Sequence, residues 1–321
     1  MNIAVLGCGR WGSFITWYLA THGFAVTEWG RPGSPSLAEL RDTHRNEYVA
    51  LPDGVRLTDD LAAAVQGADV IAISIRSSGL RELARRLRAC GAAGKPILLC
   101  MKGLEEGSGL RLSEIMLEEG FPRESLCIWV GPGHIQEFTA GHPNCMVIDG
   151  YDAALSHRLA DTFRSPLIRF YYGDDMIGNE IGAAAKNVMG LAAGMLDGCG
   201  LSSLKGPLMS RGAREVARLI AAMGGREQSA YGLCHLGDYE TTLFSPYSHN
   251  RRYGEALVKG EPFHRTAEGV GTAAALCVLE KRYGVELPIT RAVFHVLYEQ
   301  ADPRAELPAL FSRRAVTEFW S

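Results

Sequence analysis

No Cys-x-x-Cys pair occurs among the eight cysteines of this 321-residue chain (Cys8, Cys90, Cys100, Cys127, Cys145, Cys199, Cys234, Cys277), and several lie inside apolar runs. Dispersal of that kind excludes the usual zinc frameworks and a disulfide scaffold, so reduced core thiols and no metal site are expected. No apolar stretch reaches the ~18 residues that span a bilayer. Met1-Asn2 leads directly into a strand-like run, without a basic segment, an apolar segment and a cleavage site in that order. A cytoplasmic protein with no membrane span is therefore expected. An excess of one charge is missing as well: 33 Lys and Arg against 36 Asp and Glu leave a formal charge of −3, which argues against nucleic acid as a partner. Internal repeats, low-complexity tracts and long linkers are also absent.

What remains is ordinary globular composition, 47% hydrophobic and 21% charged, in a chain long enough for about two domains. Up to about residue 172, short β-rich runs alternate with amphipathic stretches, as a parallel sheet wrapped by helices requires. The expected strands are Ile3–Leu6, Ala25–Trp29, Val70–Ile75, Ile97–Met101, Leu126–Val130, Cys145–Ile148 and Ile168–Tyr172. Beyond Gly173 the pattern turns helical, starting with a helix from about Met176 to Leu196 behind Asp174-Asp175. The fold class expected is α/β, with a Rossmann-type parallel-sheet domain over residues 1–173 and an all-helical substrate domain over 174–321.

Gly7-x-Gly9-x-x-Gly12 follows the first strand at once and opens a helix from about Trp11 to Thr21, the context a dinucleotide site needs. Gly7 permits the tight turn, Gly9 lets the backbone approach a pyrophosphate, and Gly12 lets the helix close on the sheet. N–H groups at the helix start then face the phosphates. At the tip of the second strand, where an NAD site usually offers a carboxylate to the ribose, stands Gly30-Arg31, and Glu28 lies two positions early. Arg31 suits a 2′-phosphate, so NADPH is expected ahead of NADH.

In the second half, helical spacing puts Asn179, Gly182, Lys186 and Gly190 on one stripe, a lysine with a glycine one turn above and one turn below. The reading is that space is kept open around an amine. Burial lowers the pKa of such an amine towards neutrality, where it serves as a general acid and base. The bland alternative is close helix packing with Lys186 snorkelling to water. Ketone reduction by a nicotinamide needs a proton donor and positive charge at the carbonyl oxygen, and Lys186 supplies both. Lys102, just past the strand Ile97–Met101, offers a second cation, and Asp238 a carboxylate to orient Lys186.

Taken in order, these residues resemble the NAD(P)-dependent glycerol-3-phosphate dehydrogenase family. The matching stretches are the glycine motif with Trp29-Gly30-Arg31, Lys102-Gly103-Leu104-Glu105, Gly131-Pro132 with His134 and Glu137, and Lys186-Asn187 with Gly194 and Asp197-Gly198. They continue with Ser210-Arg211-Gly212, Leu236-Gly237-Asp238, Asn250-Arg251-Arg252-Tyr253-Gly254, Glu268-Gly269 and Tyr283 to Ile289, spanning nearly the whole chain. The resemblance implies reversible hydride transfer between the nicotinamide and dihydroxyacetone phosphate, yielding glycerol 3-phosphate for phospholipid synthesis, with the active site between the two domains. It implies Lys186 as the proton-transferring lysine, Lys102 as a cofactor and substrate contact, and Asp238 beside both. Cofactor contacts implied are Gly7, Gly9, Arg10, Trp11, Gly12, Arg31, Lys102, Ile135 and Glu268. On the substrate side stand Lys102, Gly131, Gly133, Asn187, Ser248, His249, Asn250 and Arg251. A homodimer is implied too.

Departures from the family pattern cluster at the substrate. Ser248-His249-Asn250 replaces the usual Ser-Arg-Asn, Gly133 replaces a Ser or Thr, Ile135 an Ala, and Phe244 a hydroxyl residue. A histidine is mostly neutral at pH 7 and grips phosphate less firmly than an arginine fork, unless Arg251, Arg252 or Lys205 compensates. Two alternatives stay open: a sibling dehydrogenase for another phosphorylated or phosphonylated ketone or a hydroxy acid, and an NADPH-binding sensor without turnover. Gly190, where the β-hydroxyacid group places Asn four residues after the lysine, counts against that group. No Tyr precedes a Lys by four residues, which excludes the short-chain reductases.

Overall fold

Asn2–Leu6 (β1), Ala25–Trp29 (β2), Arg56–Thr58 (β3), Val70–Ile73 (β4), Ile97–Leu99 (β5), Leu126–Val130 (β6), Asn144–Gly150 (β7) and Ile168–Tyr172 (β8) form one sheet in the order β3-β2-β1-β4-β5-β6-β7-β8. These coordinates come from a computed structural model that describes residues 1–312 and Glu318. Strands β4, β5 and β6 are buried along their whole length, which is why they read as unbroken apolar runs rather than alternating ones. The helices of this half are Arg10–Thr21 (α1), Pro35–Thr43 (α2), Leu61–Gln66 (α3), Leu80–Ala89 (α4), Leu112–Glu118 (α5), Ile135–Thr139 (α6) and Ala153–Phe163 (α7).

Two features depart from the expected strands. Strand β3 is only three residues long and sits at the sheet edge on β2, too short and too polar to show a β signal. Strand β7 runs antiparallel to β6, and β8 follows β7 in parallel. The one helix in the 131–143 connection is the five-residue α6, about 7 Å long against roughly 17 Å for a five-residue strand, too short to carry the chain back along the sheet as a crossover helix does. The sheet is thus mostly, not wholly, parallel.

By compactness the chain forms two units, Met1–Met101 with Leu112–Met176, and Lys102–Arg111 with the chain from Ile177 onward. The second is helical: Met176–Gly198 (α8), Lys205–Ala222 (α9), His249–Lys259 (α10), Gly269–Tyr283 (α11), Pro288–Tyr298 (α12) and Pro303–Ala309 (α13). Every residue from Gly178 to Leu196 is buried, so over that span α8 is a fully covered helix. Its Ile181, Val188, Met189 and Leu191 pack in one cluster with Val216, Leu219 and Ile220 of α9, Leu276 and Leu279 of α11, and Val293 of α12. Glu215 of α9 accepts from the Ile289 and Thr290 amides (2.8 and 3.0 Å) and so caps the start of α12.

Glu28 of β2 is fully buried, and its Oε1 accepts from Ser13 Oγ of α1 at 3.0 Å. Burial pushes its carboxyl up to about 8, against the lowering effect of that hydroxyl. Its folded pKa thus lies above its unfolded one, so its contribution is fully present below the unfolded value and is lost as pH rises through about 8. Glu28→Gln should leave the melting temperature nearly unchanged at pH 5 and raise it over wild type at pH 9. Equal shifts at the two pH values in thermal unfolding would contradict a protonated, buried Glu28.

Candidate active site

In the first unit the glycine loop has the shape its motif requires. Gly7 adopts φ +121°, and a Cβ there would lie 2.2 Å from Ser74 O; a Cβ on Gly12 would lie 1.8 Å from Gly7 O. Both positions are closed to any side chain, whereas a Cβ on Gly9 meets nothing within 4 Å. That opening lies at the N-cap of α1, where no side chain caps the helix and no acidic residue occupies the first turn. Beside it the buried Trp11 indole N–H has no acceptor among the described residues. An open approach to helix N–H groups with an unpaired buried donor alongside fits a dinucleotide pyrophosphate. At the tip of β2, a Cβ on Gly30 would come within 2.6 Å of Cys8 Sγ, so no carboxylate fits there, and Arg31 is exposed. Glu28, turned inward onto Ser13, does not stand in for one.

Gly131 (φ +135°) and Gly133 (φ +153°) are held left-handed in the loop after β6. A Cβ on Gly133 would lie 2.3 Å from the Phe138 ring, which explains why no hydroxyl residue stands there. Ile135 is buried at the start of α6, in the core of this unit.

The second unit holds the charged centre. Lys186, midway along α8, is 8% exposed, and its Nζ lies 2.8 Å from Asp238 Oδ2. Lys102 Nζ meets the same oxygen at 2.7 Å. Thr242 Oγ1 accepts from Lys186 Nζ at 2.9 Å, and Thr241 donates to the other carboxylate oxygen. Two of the three Lys186 N–H groups are thereby taken among the described residues. An ammonium carries three N–H groups, so one remains beyond these two contacts, with Lys102 also close to the amine.

Burial lowers Lys186 to about 8, against the raising effect of the Asp238 charge, with Lys102 pushing further down. Burial of Asp238 works upward, but the Lys102 and Lys186 charges outweigh it and hold the carboxyl below its usual range. Two cations on one anion leave a net charge of +1 that an anionic or developing-alkoxide ligand satisfies.

The backbone of the segment Lys102–Arg111 is tied down to deliver Lys102. Arg111 pairs with Glu180 of α8 at 2.7 Å, both buried, and Asn187 Nδ2 donates to Lys102 O at 3.2 Å. Asn250 Nδ2 donates to Asn187 Oδ1 (3.0 Å), and Asn250 Oδ1 accepts from Gly269 N (2.9 Å), next to Glu268. The two asparagines thus join α8, the start of α10 and the start of α11. Ser248 caps α10 through Arg251 N, while His249 stands edge-on to Phe263. Arg251 is engaged with Glu255 at 2.9 Å and Asp197 at 3.4 Å, and Lys205 with Asp197 at 2.6 Å.

The glycines flanking Lys186 do not keep a hollow open. A Cβ on Gly182 would lie 2.7 Å from Cys234 Sγ, and one on Gly190 would lie 2.9 Å from Thr242 Cγ2. They let the 234–242 segment close on α8, and that approach brings Asp238 and Thr242 to the amine. Sequence reading assigned no role to Thr242 or Thr241, although Thr242 stands four residues after Asp238, a spacing that shares one face of a helical turn.

Family models for the NAD-dependent glycerol-3-phosphate dehydrogenase N-terminus and C-terminus match residues 2–156 and 175–307. The chain is 37% identical to the glycerol-3-phosphate dehydrogenase [NAD(P)+] of Xanthomonas euvesicatoria pv. vesicatoria (strain 85-10), over 99% of this chain and 96% of that one. Against the enzyme of the same name from Moorella thermoacetica it is 39% identical over 93% of this chain and 92% of the relative. Among solved structures, the glycerol-3-phosphate dehydrogenase of Coxiella burnetii superposes with a TM-score of 0.90 at 28% identity, covering 97% of this chain and 99% of that one.

Asp238→Asn strips the counter-ion from two lysines. It should lower the unfolding free energy at pH 7 by about 3–5 kcal/mol. The loss should shrink at pH 9.5, where Lys186 is neutral in both proteins. Denaturant titration at the two pH values checks this; a loss independent of pH would show that the ammonium charge is not what Asp238 balances.

Proposed function

The chain belongs to the NAD-dependent glycerol-3-phosphate dehydrogenase family, and on that premise we propose that Lys186 is its general acid and base. The reaction is the NAD(P)H-dependent, reversible reduction of dihydroxyacetone phosphate to sn-glycerol 3-phosphate, a phospholipid precursor. One observation carries the reading: a buried amine held by a carboxylate that it shares with Lys102 and by the Thr242 hydroxyl.

Reduced nicotinamide, when bound, supplies the hydride to the carbonyl carbon. Lys186 donates its remaining N–H to the carbonyl oxygen and passes that proton across as negative charge develops. Lys102 adds a second positive charge to the same field. Asp238 stays ionised throughout, since its pKa lies below the usual carboxylate range, and it holds the ammonium in place. Once neutral, Lys186 keeps its hydrogen bond to Thr242, whose hydroxyl either accepts or donates. In the oxidative direction the neutral amine takes the alcohol proton.

The cofactor-binding set is Gly7, Gly9, Gly12, Arg10, Trp11, Arg31 and Ile135 in the first unit, with Lys102 and Glu268. NADPH is preferred over NADH, a reading supported by the closed Gly30 position and the exposed Arg31. The substrate is taken by Lys102, Asn187, Gly131, Gly133 and the Ser248-His249-Asn250-Arg251 segment; the expected cofactor domain of 1–173 and substrate domain of 174–321 are kept, except that the Lys102–Arg111 segment goes with the second. The reading extends to a homodimer working in the cytoplasm. No helix among the described residues is long and apolar enough to cross a membrane.

Lys186→Ala should cut turnover by about 10²–10⁴-fold while leaving cofactor affinity within about twofold. In the wild type, turnover in reduction should fall as pH rises through about 8, where the ammonium is lost, and turnover in oxidation should rise. Nicotinamide absorbance assays with a fluorescence cofactor titration test both; comparable losses in turnover and cofactor binding would make Lys186 structural. His249→Arg should lower KM for dihydroxyacetone phosphate by about tenfold, by adding a charge-assisted bond to phosphate. An unchanged or higher KM would remove this segment from the phosphate site.

A further inference from the structure

Three residues before Asp238, His235 is fully buried, and its Nδ1 lies 2.8 Å from Gly182 O on α8. The Gly212 carbonyl of α9 also faces the ring, so the imidazole sits between carbonyls of two helices. With the proton assigned to Nδ1, at the 2.8 Å Gly182 contact, Nε2 accepts from the fully buried Tyr239 Oη, 2.6 Å away. The pair is uncharged in the working range, since burial lowers the imidazole to about 4. The ionisable neighbours that act on the pair are Asp238 and Lys186 on one side, Glu215 and Cys234 on the other.

The acceptor is the informative part of this arrangement. Gly182 lies four residues before Lys186, so its carbonyl is the one that takes the Lys186 amide in the α-helical ladder, and the imidazole uses its second lone pair. His235 therefore bonds to the helical turn that carries the amine, while standing on the turn that carries the carboxylate. Tyr239 follows Asp238 directly, so the carboxylate is bracketed by the two members of the pair. Glycines on two helices make room: a Cβ on Gly182 would lie 3.1 Å from His235 Cβ, and one on Gly212 of α9 would lie 3.1 Å from Tyr239 Oη.

We infer that His235 and Tyr239 are positioning residues that lock the Asp238 turn onto the Lys186 turn of α8 and so set the spacing of amine and carboxylate. The 3-10 turn Leu236–Asp238 is only three residues long and has no side-chain cap. It must nonetheless hold one oxygen against two mutually repelling ammonium groups. An anchor to α8 on one side of Asp238 and a phenol wedged against α9 on the other keep that oxygen from drifting. This inference rests on the role proposed for Lys186, whose ionisation follows the distance to Asp238.

The test compares His235→Ala, His235→Asn, Tyr239→Phe and Lys186→Ala by kcat for dihydroxyacetone phosphate reduction as a function of pH, with KM for NADPH and melting temperature. His235→Ala should lower kcat by about 10–100-fold, the scale of an ångström-sized misplacement. NADPH KM should not move. The pH at which kcat falls should drop by about one unit, because the carboxylate that raises the Lys186 pKa recedes. Asn places an amide N–H where Nδ1 stood, so His235→Asn should recover kcat to within about threefold of wild type. Tyr239→Phe, which removes one oxygen, should lie between. Wild-type kcat and pH profile in a folded His235→Ala, or no recovery in His235→Asn, would overturn the clamp. Should His235→Ala fail to fold, a wild-type profile in Tyr239→Phe overturns it. An inactive Lys186→Ala beside unaffected clamp variants would sink the clamp alone; an active Lys186→Ala would sink the Lys186 role and the clamp with it.

Discussion

One carboxylate oxygen, Asp238 Oδ2, holds two ammonium groups inside a helical core, and the second unit is arranged around that contact. Burying charge is costly unless it is paired and hydrogen-bonded. Here the pairing leaves one positive charge over, and the helix carrying it is covered on every side. Burial that lowers the Lys186 pKa also creates the demand for an incoming oxygen that will share its proton. Asp238 limits the first effect by favouring the ammonium, so the amine stays charged near neutral pH yet remains able to give its proton up.

Keeping that contact in place requires backbone precision, and glycine supplies much of it. Gly182 and Gly190 on α8 admit the 234–242 segment. A Cβ on Gly194 would lie 1.8 Å from Arg251 O, and one on Gly254 of α10 would lie 2.2 Å from Leu191 O, so α8 and α10 touch backbone to backbone. The asparagine pair Asn187–Asn250 then joins those two helices to Lys102 O and to the start of α11. In the first unit the logic recurs: Gly7 and Gly12 close a turn on itself, while Gly9 between them opens outward.

Much of this was legible in the residues. The glycine motif, the doubly covered strands and the lysine in a small-residue helix announce a dinucleotide fold joined to a helical site, and the order of motifs points to the family. What stayed hidden depended on tertiary geometry. Strand β3 has no local signal of its own, since pairing with β2 creates it. The reversed β7 follows a connection whose helix is only five residues long, and apolar patterning does not register strand direction. The glycine stripe around Lys186 was read as open space; helical periodicity says which residues share a face but not what packs against it. For the same reason Thr242 and His235 were missed, although Thr242 stands four residues after Asp238 and His235 three before it. At the phosphate side, Arg251 and Lys205 looked available to compensate for His249, and the fold engages both with Asp197.

The central claim is that Lys186 is a desolvated ammonium poised to lose its proton near neutrality. The most direct test is a proton titration of the intact protein carrying lysine labelled at Cε, followed by carbon NMR, with Lys186→Ala used to assign the resonance. A lysine signal that titrates near 8 and vanishes in that variant is the predicted result. A Lys186 signal that titrates with the solvent-exposed lysines, at about 10.4, would contradict it.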